Sequence, residues 1–122
     1  MTIAEVIQSI DVMKPNNYSE VDKIRWLSEL DGGIKKEIMD THEGESVIFE
    51  GYDGKTSLEM ELLVKAPYDN IYLPWLESKI DYSNGEYAKY NNSVTVFNTN
   101  YTTFVSAYNR EHMPKGKAIK YF

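Results

Sequence analysis

The side chains best able to do chemistry in this chain are two histidines, His42 and His112. A zinc site needs two or three ligands at suitable spacing, as in a His-Glu-x-x-His run on one helix, and neither histidine has such neighbours. Each lies near the end of a predicted helix, where a cation complements the partial negative charge of the terminal carbonyl groups. We therefore interpret both as helix-end residues and expect no metal site.

Paired carboxylates are the second possible source of chemistry, because two nearby Asp or Glu residues can act as general acid and general base. Glu43 with Glu45 and Glu59 with Glu61 have this spacing. However, the chain contains 19 Asp and Glu among 122 residues, so such pairs arise by chance. The glycine turn at residues 51–54 lacks the Lys-Ser or Lys-Thr pair of a phosphate-binding loop. We predict that the chain is not an enzyme and carries no cofactor.

Composition limits the partners of this chain. Its formal net charge is −6, with 13 Lys and Arg against 19 Asp and Glu. Phosphate binding relies on clustered Lys and Arg, so a nucleic-acid-binding surface is not expected, although DNA could pass the protein without binding. The lack of cysteine excludes disulfides and thiolate metal sites and is compatible with a reducing cytosol. There is no apolar stretch of roughly 18 residues and no basic leader, so we predict neither a membrane span nor export.

The elements that would position these residues begin with a short amphipathic helix. Thr2 and Glu5 have the spacing of a capping box, and Pro15 stops the helix. Between them, apolar residues recur on one helical face: Ile3, Val6, Ile7, Ile10 and Met13.

A second helix is predicted over about residues 20–42. Ser19 with Asp22 repeats the capping spacing, and apolar residues continue at intervals of three and four. Gly32 and Gly33 cost about 1 kcal/mol each relative to alanine, so we expect a bend or a break there.

Residues 43–65 change from helical to alternating periodicity. This pattern predicts a long loop or a β-hairpin that either packs on the helices or waits for a partner, since a lone hairpin is marginal in water. Long connections in small domains are often functional. The candidate partner-binding residues in this segment are Phe49, Tyr52, Asp53, Leu58 and Met60.

The second half of the chain predicts two further helices. One holds Tyr72, Leu76 and Ile80, with Pro74 in its first turn or at a kink, and the turn at residues 84–85 either ends or interrupts it. The next runs to about Met113 and has aromatic residues at helical spacing, which we call the aromatic seam: Tyr87, Tyr90, Val94, Phe97, Tyr101, Phe104 and Tyr108. Its Asn and Thr residues favour other structures, so packing must stabilise it. The seam belongs to the core, or presents several rings to a neighbouring subunit.

The predicted fold class is therefore mainly α: a small bundle of about four helices with a long loop or β-hairpin between helices two and three. One domain spans residues 1–113, and residues 114–122 form a basic, aromatic-ended tail. We expect this tail to be disordered until bound, with a protein groove favoured over nucleic acid as its partner. Its candidate partner-binding residues are Lys115, Lys117, Lys120, Tyr121 and Phe122.

Several short runs resemble a family of phage and prophage proteins from Gram-positive hosts that are regarded as head-tail connector, or adaptor, proteins. The resemblance covers most of the chain between Ser19 and His112. The matching runs are SEVDKIRWLSELD at 19–31, APYDNIY at 66–72, IDYSNGE at 80–86, YNNS at 90–93, Phe97 with Tyr101, and YNR at 108–110. The pair Gly32-Gly33 departs from the family, in which at most one glycine is expected there.

The resemblance implies a structural virion protein whose copies form a homo-oligomeric ring beneath the portal, with DNA passing through it. The loop at residues 43–65 would reach a neighbour or the head-closure or tail-completion protein, and the tail at residues 114–122 would dock onto the portal. The protein would lie in the virion neck, after assembly in the host cytoplasm. The alternative is a non-virion small acidic binding protein, an assembly chaperone or regulator in the host cytosol. An enzyme would need a pocket with converging titratable groups.

Overall fold

Four α-helices form the structure, a computed structural model that describes residues 1–44 and 47–115. They are α1 (Ile3–Met13), α2 (Glu20–Ile34), α3 (Tyr72–Ser83) and α4 (Tyr87–Glu111). The described residues contain no β-strand, only two isolated bridges. The predicted mainly α class and the small helical bundle are confirmed. No helix in the described part of the chain has both the length and the apolarity that a membrane crossing requires.

The first two helices begin as their capping patterns predict. The Thr2 side chain accepts a hydrogen bond from the Glu5 backbone N–H at 3.1 Å, and the Glu5 carboxylate accepts one from the Thr2 N–H at 3.0 Å. These hydrogen bonds lower the pKa of Glu5. Ser19 accepts from the Asp22 N–H at 3.1 Å. In each case a side-chain oxygen satisfies a donor that the first turn leaves unpaired.

Helix two differs from its prediction at its end. Regular α-helix stops at Ile34, directly after the two glycines, and the chain continues as a π-helical turn, Lys35–Met39, with Asp40 as its C-cap. The helical part therefore ends three residues before the predicted end at about His42. The predicted irregularity begins at Lys35, two residues after Gly33, in the part of the helix that the glycines weaken.

Helices α3 and α4 form an antiparallel hairpin across the turn at residues 84–86. Ring contacts along the hairpin have a nearly constant sum of residue numbers, as between Trp75 and Phe97 and between Tyr82 and Tyr90. Pro74 is the third residue of α3, where its missing N–H breaks no helical hydrogen bond. The turn at Asn84 and Gly85 ends α3 and does not merely interrupt it, which confirms one of the two predicted alternatives.

The core lies between α1, α2, α3 and the long connection that follows α2. Its fully buried large side chains come from all four of these segments: Ile3, Val6, Ile10, Ile24, Leu27, Ile34, Leu62, Val64, Ile71, Tyr72, Leu76 and Ile80. Helix α4 contributes less, since Phe104 is its one buried seam residue and Tyr87 is exposed. The remaining seam residues are part-buried along the hairpin. Most side chains of the aromatic seam thus lie at the boundary between the core and the surface.

Two ion pairs, each with one buried partner, tie the helices together. Lys14, just after α1, pairs with the buried Asp81 of α3, and Asp81 also accepts a hydrogen bond from Ser93 of α4 at 2.7 Å. Lys23 of α2 is buried and pairs with Asp11 of α1 at 2.6 Å. These pairs fix the mutual positions of the helices on which the long connection rests.

Candidate functional site

The long connection, residues 40–67, packs on the helices and forms no β-hairpin in its described part. Backbone N–H groups of Ile3 and Ala4 donate to the carbonyls of Met60 and Leu58 at 3.0 and 2.9 Å, and the Leu62 N–H donates to the Met1 carbonyl at 2.9 Å. The segment therefore caps the start of α1, satisfying donors that a helix N-terminus leaves free. The prediction of a β-hairpin is therefore wrong for the described residues. The alternative of a long loop that packs on the helices is confirmed.

Asp31 of α2 is the central anchor of this connection. Its fully buried carboxylate accepts hydrogen bonds from the Tyr52 hydroxyl at 2.6 Å, the Tyr72 hydroxyl at 2.7 Å and the Leu63 N–H at 3.1 Å. The Tyr72 hydroxyl in turn accepts from the Val64 N–H at 2.9 Å. One carboxylate thus joins α2, α3 and two parts of the connection.

Burial and hydrogen bonding oppose each other at this anchor. Burial raises the pKa of Asp31, because it penalises the charged carboxylate, while the hydrogen bonds from Tyr52, Tyr72 and Leu63 lower it; burial has the larger effect. Burial, and then the charge of Asp31, raise the pKa values of Tyr52 and Tyr72. Both tyrosines therefore remain neutral donors, as an anchor requires.

The outer side of the anchored connection forms an open groove of about 500 Å³, which we call the loop groove. Ile48 is 87% exposed beside it and Met60 is 47% exposed. Phe49 packs edge-on against Tyr52 with ring centroids 5.0 Å apart. The groove is lined by Ile48, Phe49, Glu50, Gly51, Tyr52, Asp53, Lys55, Thr56, Ser57, Met60, Glu61 and Leu63.

The structure places four of the five predicted residues of this segment along the groove: Phe49, Tyr52, Asp53 and Met60. Leu58 is half-buried beside α1 and does not line it. Tyr52 is only 8% exposed and its hydroxyl is bound to Asp31, so it holds the groove in shape and leaves little surface for a partner. The accessible predicted residues are Asp53, Met60 and part of Phe49.

Of the predicted tail residues, Lys115 is exposed. The chain reaches it through an antiparallel bridge between His42 and Pro114, in which the Lys115 N–H donates to the Thr41 carbonyl at 2.8 Å. Lys117, Lys120, Tyr121 and Phe122 lie outside the described residues.

A second groove, of about 420 Å³, lies along the α3–α4 hairpin. Four rings line it, those of Trp75, Tyr82, Tyr90 and Phe97, and the Lys79 ammonium stands 4.5 Å from the centre of the Trp75 ring. Tyr82 is 59% exposed. Tyr90 and Phe97 of the aromatic seam thus line this groove, while the alternative that several seam rings face a neighbouring subunit stays a prediction.

Both histidines contact α4. His42 Nε2 lies 2.5 Å from the Asn109 side-chain oxygen, and His42 Nδ1 lies 2.6 Å from the Ile38 carbonyl oxygen. The His112 ring stacks on Tyr108 with centroids 4.0 Å apart. In the described part of the chain, no three His, Cys, Asp or Glu side chains are placed to hold a metal ion.

Two residues that matter here escaped the sequence reasoning. Asp31 shares a helical face with Leu27 and Ile34, so an acidic residue stood at a core position, and that signal could have revealed the anchor. The second residue is Ile48. The alternation of Val47 and Phe49 drew attention to one face of the segment, whereas Ile48 lies on the opposite face, which is exposed.

Comparison with the families of known proteins, with curated protein sequences and with solved structures gave no match for this chain.

Proposed function

We propose that this chain is a structural virion protein, a ring-forming head-tail connector subunit that joins a portal to head-closure or tail-completion proteins, with DNA passing through the ring. The proposal starts from the short runs that resemble phage adaptor proteins. It assigns no catalysis to the chain, and its partners are further copies of the chain and the neighbouring proteins of the neck.

The observation that carries the proposal is an apolar surface on a fixed loop. Ile48 and Met60 are exposed, yet the segment that holds them is anchored at Asp31 and at the start of α1. Exposed apolar groups on an ordered segment mark a contact surface, and a preformed surface loses little conformational entropy when it binds. A subunit whose role is to hold neighbours in place needs a surface of this kind.

The charge of the chain suits the passage of DNA. Acidic groups exceed basic groups by six. Residues 90–109 of α4 contain no charged side chain, and the exposed positions there are mostly Asn and Thr. An acidic or uncharged ring wall does not release counterions from DNA, so it would not retain the phosphates as they move.

Mass spectrometry of purified particles tests the proposal. The chain should be present at a fixed ratio to the portal protein, and deletion of its gene should leave filled heads without tails. Heads that join tails normally without the chain would contradict the proposal.

The acidic lining of the loop groove favours one second candidate, an assembly chaperone or regulator in the host cytosol. Glu50, Asp53 and Glu61 line this groove together with a single lysine, Lys55, and such a surface could hold a basic segment of another protein. A chaperone would be needed for assembly but missing from mature particles. The same mass spectrometry, together with the deletion phenotype, therefore separates the two functions.

A further inference from the structure

The loop groove combines an apolar surface with an excess of negative charge. Ile48 and Met60 supply exposed apolar area. Glu50 and Asp53 have no ion-pair partner among residues 1–44 and 47–115, while Glu61 pairs with the N-terminal ammonium of Met1 at 3.5 Å and with Lys65 at 3.7 Å. The complementary ligand is therefore a peptide segment that carries both lysines and large apolar side chains.

The chain itself contains such a segment, residues 115–122, which we call the basic segment. It alternates Lys115, Lys117 and Lys120 with apolar residues that include Ile119 and Phe122. It contains no acidic residue. Fully extended, the residues after Lys115 span up to roughly 24 Å, enough to cross a groove on a neighbouring copy.

The bridge between His42 and Pro114 fixes where the basic segment begins. In the antiparallel bridge, Lys115 lies beside Thr41, on the helix side of His42. The chain that enters the loop leaves His42 on the opposite side, through Glu43, whose N–H donates to the Met113 carbonyl at 2.7 Å. The two chain segments of the bridge thus run in opposite directions, with Lys115 on the side of α2 and Glu43 on the side of the long connection.

We propose that the basic segment of one copy binds in the loop groove of the next copy, so that identical contacts repeat head to tail. A repeated contact of this kind closes into a ring when its rotation permits. The inference rests on the proposed ring and names its joint. It also assigns residues 115–122 to a second copy, whereas the family resemblance assigns them to the portal.

Two complementary variants of the full chain test this joint. In Lys117→Glu/Lys120→Glu the basic segment is altered and the groove is intact; in Glu50→Gln/Met60→Gln the groove is altered and the basic segment is intact. Asp53 and Glu61 still line the altered groove, so it does not attract the acidic segment of the first variant. Each variant alone should self-associate roughly tenfold more weakly than the wild type. An equimolar mixture should form a 1:1 dimer and nothing larger, because it contains one functional joint. Sedimentation velocity measures this.

Nuclear magnetic resonance locates the contact. When the ¹⁵N-labelled Lys117→Glu/Lys120→Glu chain receives the unlabelled groove variant, amide signals of residues 48–61 should shift, and the shifts should shrink in high salt, which screens the charges. The matched control is Glu59→Gln, which neutralises an exposed acid of the same connection that does not line the groove. This variant should associate like the wild type, and circular dichroism should show that all variants keep their helices.

The inference is overturned if the mixture stays monomeric, if either variant alone associates like the wild type, or if the basic-segment variant loses portal binding while self-association is unchanged. Failure here is distinguishable from failure of the proposed function. A chain found in particles whose complementary variants do not dimerise is an adaptor with a different joint. A chain missing from particles whose variants do dimerise has this joint without the adaptor role.

Discussion

The Tyr72 hydroxyl of α3 donates a 2.7 Å hydrogen bond to the Asp31 carboxylate of α2, and both residues are fully buried. This contact joins two helices and, through the Val64 N–H that donates to the same hydroxyl, the long connection as well. The loop groove therefore depends on a polar contact inside the core. Loss of this contact should therefore disturb the groove, so the first prediction concerns Asp31 and its partners.

Replacing Asp31 with alanine should destabilise the protein by roughly 3–5 kcal/mol, because two tyrosine hydroxyls and one backbone N–H lose their acceptor in a buried site. Tyr52→Phe removes one donor and should cost about 1 kcal/mol. Urea unfolding followed by circular dichroism measures both free energies. Equal costs for the two variants would show that Asp31 is not the shared anchor.

The stability of the wild type relative to Asp31→Asn should depend on pH. The pKa of Asp31 is raised above its usual value near 3.8, so the folded state binds this proton more tightly than the unfolded state does. The resulting stabilisation is complete below the unfolded pKa and is lost as the pH rises through the raised, folded pKa. Asparagine does not titrate, and the other groups titrate alike in both proteins.

The free energy of unfolding of the wild type minus that of Asp31→Asn should thus be largest below about pH 4 and should shrink toward neutral pH. Chemical denaturation at several pH values measures the difference. A difference that grows with rising pH would mean that hydrogen bonds dominate burial at Asp31.

The connection after α2 shows how far the sequence could predict this fold. Alternation of Leu58, Met60, Leu62 and Val64 indicates an extended backbone with one buried face, and Leu62 and Val64 are indeed buried. Periodicity does not identify the hydrogen-bond partner, and here the partner is the start of α1 in place of a second strand. Helix periodicity and capping, which are local, predicted the four helices correctly.

The loop groove could not be predicted from local sequence patterns. Its shape depends on Tyr52 reaching Asp31 across a separation of 21 residues, and on Phe49 packing near Gly32. Such contacts depend on the folded arrangement of segments that are distant in sequence. Sequence patterns therefore placed Asp53, Met60 and Tyr52 in this segment, but they did not show that the Tyr52 ring is buried and supports the groove from inside.

Two glycines should respond to alanine in opposite directions. Gly33 has helical backbone and an added Cβ would meet no atom within 4 Å, so Gly33→Ala should stabilise the protein by about 0.5–1 kcal/mol. Gly85 has φ of +74°, and alanine there should cost about 1–2 kcal/mol. Thermal unfolding of both variants measures the shifts in Tm. A loss of stability in Gly33→Ala would show that the π-helical turn after α2 needs the flexibility of glycine.

The exposed apolar residues of the loop groove should matter for assembly and little for folding. Ile48→Ser/Met60→Ser removes side chains that are 87% and 47% exposed, so stability should change by less than about 1 kcal/mol. Val12→Ser/Met13→Ser is the matched control, because these α1 side chains are 84% and 51% exposed. Thermal unfolding should place both variants close to the wild type.

Complementation of a gene deletion then shows whether a variant fails because its contact surface is altered or because its fold is unstable. If the chain is the proposed head-tail connector and the loop groove is its contact surface, the Ile48→Ser/Met60→Ser chain should yield mostly tail-less heads, because its partner loses apolar area that binding would bury. The Val12→Ser/Met13→Ser chain should restore tailed particles, since its altered patch lies on α1, outside the groove. Electron microscopy counts the two kinds of particle. Equal restoration by both variants would remove the groove from assembly, and equal failure would indicate that any loss of exposed apolar area is harmful, whatever its position.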